Sequence, residues 1–206
     1  MWIRRALRAT LVVVAVGAAG VAFTAPAQAS PAAATPAQHT HHHPHSRVLE
    51  VRSGRTVLVL DAGTAGVLTA NGVEVAPIAG AYASGKGIAF PIVGGSLDRK
   101  TAAGVIYHRG GLKFSAGTKS LSVQDFTIDT TKGVLTARVS GTTTRVPLLN
   151  LDASGVSIRG GWKSLTVSGV HGTLTKEAAA ALNSTFGVTL FKAGIPIGTA
   201  TVKARG

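Results

Sequence analysis

Cysteine is absent from all 206 residues. Its absence excludes disulfides, thiolate metal sites, a cysteine nucleophile and a lipidated N-terminal cysteine. Acidic residues are scarce, with 8 Asp and Glu against 21 Lys and Arg, which leaves few choices for a catalytic carboxylate pair. Aromatic residues make up only 5% of the chain and the basic residues form no run. Nucleic-acid binding, which relies on basic patches interleaved with stacking aromatics, is set aside on that ground. Long apolar runs are missing as well. The one such stretch, residues 11–23, would rise only about 20 Å as a helix, short of the ~30 Å hydrocarbon core of a bilayer.

That short run has the layout of an export signal. Arg4, Arg5 and Arg8 form a positive n-region, residues 11–23 the apolar h-region, and Ala27-Gln28-Ala29 the small-x-small site for a signal peptidase. Residues 1–29 are therefore predicted to be removed before Ser30, leaving no transmembrane segment and a secreted or extracellular product, loosely associated with the cell wall. The paired arginines leave both the general secretory and the twin-arginine routes open. Without Arg4, Arg5 and Arg8 the chain keeps 18 basic and 8 acidic residues, a net charge of +10. Such a charge suits anionic envelope polymers or lipid headgroups as partners, through attraction that salt screens.

Residues 30–46 are rich in Ala, Pro and His without apolar periodicity, and read as a disordered linker. A single domain is expected over 47–206. Within it, short runs of Val, Ile, Leu and Thr recur between glycine-containing turns, at 55–60, 88–93, 104–109, 111–115, 121–128, 134–139, 145–151, 156–159, 164–170, 188–191 and 195–202. This rhythm predicts an all-β domain, a mostly antiparallel β-sandwich or partly open barrel. Residues 104–139 are expected to form a four-stranded meander, with Phe126 and Ile128 in the core. Two segments break the rhythm, and both carry leucines eight apart followed by Gly-Val. Over 175–186 a helix is predicted, N-capped by Thr175, ended by Gly187, and burying Ala178, Ala179, Leu182 and Phe186. A poorer helix is expected over 61–71, capped by Asp61 and weakened by Gly63 and Gly66.

Few motifs point to chemistry. His39, His41, His42, His43 and His45 could gather a divalent transition metal, although a flexible tail offers no fixed outer shell to orient the rings. The glycine-rich 80–86 segment lacks the Ser or Thr of a phosphate loop after Lys86. Ser157 and Ser168 lie outside any nucleophile-elbow spacing. A hydrolase would need His108 or His171 to meet a serine, or an acid such as Asp98, Asp125, Asp129 or Asp152. Core packing is expected for Trp162, with a surface lid or an interface anchor as alternatives.

The most suggestive block is Gly104-Val105-Ile106-Tyr107-His108-Arg109-Gly110-Gly111-Leu112-Lys113-Phe114, followed by a hairpin ending in Gly133-Val134-Leu135-Thr136-Ala137-Arg138-Val139. It resembles the central part of the HtaA-type haem-uptake domain of Gram-positive actinobacteria. The resemblance implies haem as cofactor, with His108 as the hydrogen-bonding partner of a tyrosinate on the iron. Tyr107 and His108 are the candidate residues. That family takes its tyrosine from an upstream tryptophan-containing segment, a position that neither Tyr82 nor Tyr107 occupies. The expected function is a non-enzymatic exported domain that binds a small hydrophobic ligand or an anionic envelope component. Haem or metal binding is the alternative, and a secreted hydrolase stands third.

Overall fold

The computed structural model describes residues 47–206. The predicted signal segment and the 30–46 linker, with its five histidines, lie outside the described residues. In chain order the elements are β1 (Val48–Val51), β2 (Ser53–Leu60), α1 (Ala62–Ala70), β3 (Glu74–Ile78) and β4 (Tyr82–Ser84). They continue as β5 (Gly87–Asp98), β6 (Gly104–His108), β7 (Gly111–Ala116), β8 (Lys119–Asp129) and β9 (Val134–Val139). The last are β10 (Arg145–Asp152), β11 (Ser157–Gly161), β12 (Ser164–Leu174), α2 (Lys176–Phe186) and β13 (Pro196–Arg205).

Pairing runs β5, β2, β13, β12, β10, β9, β8, β6 and returns to β5, every step antiparallel. The sheet therefore closes as a barrel of eight strands. Closure leaves no free edge in the ring, which removes the pairing hazard of an open sheet. Long β5, β8 and β12 outreach their neighbours and hold two partners end to end on one edge, which is how β1, β4, β7 and β11 attach. In turn β3 pairs with β7.

The expected 104–139 meander is corrected here. Instead of folding back, β6 and β7 lie one after the other along the same edge of β8. The joint is Gly110, at φ +97°, where a Cβ would sit 2.5 Å from the Ala81 backbone nitrogen, so a side chain is excluded. Opposite it, Asp125 takes φ +55° and the β8 register slips between Gln124 and Thr127. Its N–H donates to the Gly110 carbonyl at 2.9 Å. A bulge of this kind bends a strand and shifts its side-chain parity. Thus Val123, Phe126 and Ile128 are all buried, although strict alternation would separate the first from the other two.

Both helices form as expected and share one apolar cluster, with Leu68 of α1 and Ala178, Ala179, Leu182 and Phe186 of α2. Asp61 caps α1 by accepting from Thr64 N, and Thr175 caps α2 by accepting from Ala178 N. Gly187 ends α2 in the left-handed conformation, φ +69°. Because β13 runs antiparallel to both β2 and β12, the two helices leave the barrel at the same end. The strand expected at 188–191 is absent. There the Asn183 side chain stands in for a neighbouring strand, donating to the Phe191 carbonyl at 2.8 Å and accepting its N–H at 3.0 Å.

Candidate functional site

Strand alternation sends every second side chain into the barrel. The inner wall is almost wholly apolar, with Leu58, Phe90, Leu112, Phe126, Leu135 and Leu149 among its residues, and lines a partly open cavity of about 150 Å³. That matches a cavity known to accept a benzene-sized molecule. The outer wall carries the charged side chains, the reverse of a membrane-spanning barrel with its apolar belt outside.

Four polar side chains, Thr56, Thr64, His108 and Thr130, interrupt the apolar lining, and Thr56 and His108 are buried and bonded to each other. His108, at the end of β6, is 4% exposed, and Thr56 of β2 is equally buried. Thr56 Oγ1 lies 2.7 Å from His108 Nε2, and His108 Nδ1 lies 3.3 Å from the Phe126 carbonyl oxygen. A carbonyl can only accept, so Nδ1 carries the proton and Nε2 accepts from the Thr56 hydroxyl. Burial drives the imidazole pKa from 6.5 down to about 4, against the smaller, opposing effect of the hydrogen bond to the Phe126 carbonyl. At neutral pH His108 is an uncharged ring with both nitrogens occupied. The Phe126 ring meets Phe90 edge to face, centroids 5.0 Å apart, beside this pair.

Tyr107 precedes His108 on β6 and therefore points the other way. It is 50% exposed on the outer wall, cross-strand from Gly94 and Thr127. Tyr82 also faces out, opposite Ala89. Haem needs an iron ligand and its hydrogen-bonding partner on one side of the sheet, and needs far more room than the lumen holds. Tyr107 and His108 do not fit a shared haem site.

His171 lies on the outer wall, where its Nδ1 is 3.2 Å from Thr199 Oγ1. Cross-strand from it, Asp152 holds its proton weakly, chiefly because the Ser154 N–H donates to its carboxylate, with a smaller contribution from His171. Ser157 and Ser168 face each other across β11 and β12. Among the described residues, neither histidine is hydrogen-bonded to a serine or an acid, and no group of His, Asp and Glu is placed to hold a metal ion. Trp162 corrects the core expectation: it is 67% exposed at the tip of the β11–β12 hairpin, with Lys163 Nζ 4.3 Å above its ring.

Thr56 is the residue that sequence reasoning missed. Its signal was available, since Thr56, Leu58 and Leu60 share a strand face and a threonine among leucines marks a buried polar position.

The architecture defines a class: a closed antiparallel barrel with an apolar lumen, two helices at one end and added outer strands. A model of the HtaA family matches residues 59–188, well over half the chain, and the protein belongs to that family. Among solved structures, the C-terminal domain of HtaA from Corynebacterium glutamicum is similar at 14% identity. It covers 76% of this chain and 98% of that one, with a TM-score of 0.57. The N-terminal domain of the same protein is also similar, at 14% identity, over 75% of this chain and 97% of that one, with a TM-score of 0.47. At such identity the first likeness supports the fold alone. No curated protein sequence matches.

Proposed function

We propose that this domain is a non-enzymatic, exported binding protein that holds a small, mostly apolar ligand in the barrel lumen. The carrying observation is the apolar cavity with the buried, neutral pair of Thr56 and His108 in its wall. A ligand with a single hydroxyl or N–H group gains apolar burial along the lumen and can exchange hydrogen bonds with Nε2, the pattern of few polar groups in an apolar pocket. Export rests on residues 1–29, and sequencing the N-terminus of protein recovered from culture medium should return Ser30. Titration with phenol and indole, followed by melting temperature and His108 imidazole NMR shifts, tests the lumen. Saturable stabilisation with a shifted His108 signal is expected for wild type and is lost in Ala200→Leu, which fills the lumen. No saturable response to either probe refutes the reading.

Family membership favours a second reading, haem binding. Since Tyr107 faces outward, haem would have to engage it on the outer wall, with His108 uninvolved. Haem titration should then give a Soret shift that Tyr107→Ala abolishes and His108→Ala leaves in place. An unchanged haem spectrum with the wild-type protein ends this reading.

A further inference from the structure

Basic residues that lie far apart in the sequence are gathered by the barrel onto one outer face. Arg159 of β11 pairs with Thr166 of β12, Thr166 with Lys203 of β13, and Lys203 with Arg55 of β2. Their chain neighbours Leu165, Val202, Ala204 and Thr56 are buried, so these paired positions point outward together. At about 4.8 Å per strand the row from Arg159 to Arg55 spans roughly 14 Å. Arg205 occupies the next outward position of β13, opposite Ser164 and Ser53. At this end the β11–β12 hairpin presents Trp162 and Lys163, and Arg99 donates to the Gly161 carbonyl at 3.0 Å.

Like charges placed directly opposite on neighbouring strands destabilise a sheet. Lys203 and Arg55 are such a pair, and none of the ion pairs among the described residues includes them, Arg159 or Arg205. At this end Glu50 has its backbone against Gly206, and Asp98 is engaged by Arg47. The row on the other side, Ser157, Ser168, Thr201 and Val57, carries no charge. The basic row is therefore left without a bound counter-ion among the described side chains, and an external anion can supply one.

We propose that this face docks on a bilayer rich in anionic phospholipid. The cations meet the headgroup phosphates, and Trp162 enters the interfacial layer where an amphipathic ring is most stable. Trp162 selects a bilayer over a soluble polyanion, because a polyanion supplies phosphates but no apolar layer for an exposed indole. This surface is separate from the lumen and does not depend on what the lumen binds.

Once residues 1–29 are removed, Trp162 is the sole tryptophan, so its fluorescence reports on the proposed contact alone. The processed protein, beginning at Ser30, is sedimented with vesicles of equal parts phosphatidylglycerol and phosphatidylcholine, and with phosphatidylcholine alone. Binding to the anionic vesicles only is expected, with a blue shift of Trp162 emission and release near about 0.5 M salt. Each cation replaced in Arg55→Gln, Arg159→Gln and Lys203→Gln should weaken binding about fivefold, and the triple variant about a hundredfold. Its melting temperature should stay close to wild type, which separates lost docking from lost folding. Equal binding to both vesicle types, an unmoved Trp162 emission, or a triple variant that binds like wild type overturns the proposal. Equally tight binding to free poly(glycerol phosphate), with no change in Trp162 emission, also overturns it in favour of a soluble polymer.

Discussion

The inner and outer walls of this barrel are made by the same strands, yet their chemistry is opposite, and neighbours on one strand show it best. His108 is enclosed, neutral and satisfied by Thr56 and the Phe126 carbonyl, while Tyr107 stands half in solvent over the bare backbone of Gly94. A single step along a strand thus changes the environment from apolar to wet, because the pleat alternates side chains between the faces. Inside, any polar group must be paired or it destabilises the fold. Outside, charges can be placed against each other with small penalties, which leaves that wall free to carry recognition.

The sharpest way to break this contrast is to remove packing from the inner wall. Phe126 is 5% exposed, stacks on Phe90 edge to face, and its carbonyl accepts from His108. Phe126→Ala should cost about 3–5 kcal/mol, the usual range for deleting a buried ring. Urea unfolding of the variant and of wild type measures the difference. A loss below about 1 kcal/mol would mean that the inner wall is loosely packed and that the two walls differ less than the geometry implies.

The second effect is set by pH. His108 titrates at 6.5 when unfolded and at about 4 when folded, so between these values the unfolded chain takes up a proton that the folded one refuses. Stability is therefore complete above about pH 6.5, falls as pH drops toward 4, and levels off below, a total loss of about 3 kcal/mol. A His108→Gln variant should lack this slope even if it is less stable throughout. Outer-wall carboxylates act in a different window. Asp98 is lowered to about 2 by its hydrogen bonds in the 98–101 turn, first of all from the Thr101 N–H, so its contribution is lost only as pH falls from about 3.8 toward 2. Unfolding midpoints measured across pH 2–8 separate the two walls, and a wild-type profile flat from pH 7 to 4 would show that His108 is not held neutral by burial.

How much of this was legible beforehand follows from where local rules decide and where they do not. Both helices, with the Asp61 and Thr175 caps, the Gly187 terminus and the buried stripe of α2, are local features, and the sequence carries them in full. The 104–139 region misled because Arg109-Gly110-Gly111 reads as a hairpin turn. Its true role as a bend depends on Ala81 and Asp125, distant partners that no local pattern encodes. The strand expected at 188–191 failed for a related reason, since Asn183 satisfies the Phe191 backbone from eight residues away. The site was half legible: the resemblance singled out His108 and its motif, but pairing with Thr56 requires knowing that β6 and β2 both flank β5. Scattered cations were visible as a net charge, and only strand register turned them into a row.

The smallest effect is expected on that row, and its sign matters more than its size. Lys203 is exposed, its side chain points away from the core, and it stands cross-strand from Arg55 without an acid to offset the repulsion. Replacing it in Lys203→Gln removes one member of a like-charged pair and leaves the inner neighbours Val202 and Ala204 untouched. Stability should therefore change by less than about 0.5 kcal/mol, and upward, with the gain fading as salt screens the repulsion. Urea midpoints at low and high salt measure it. A clear loss of stability would mean that Lys203 is neutralised within the fold, and the outer wall would then be balanced in its own right and not held ready for an external anion.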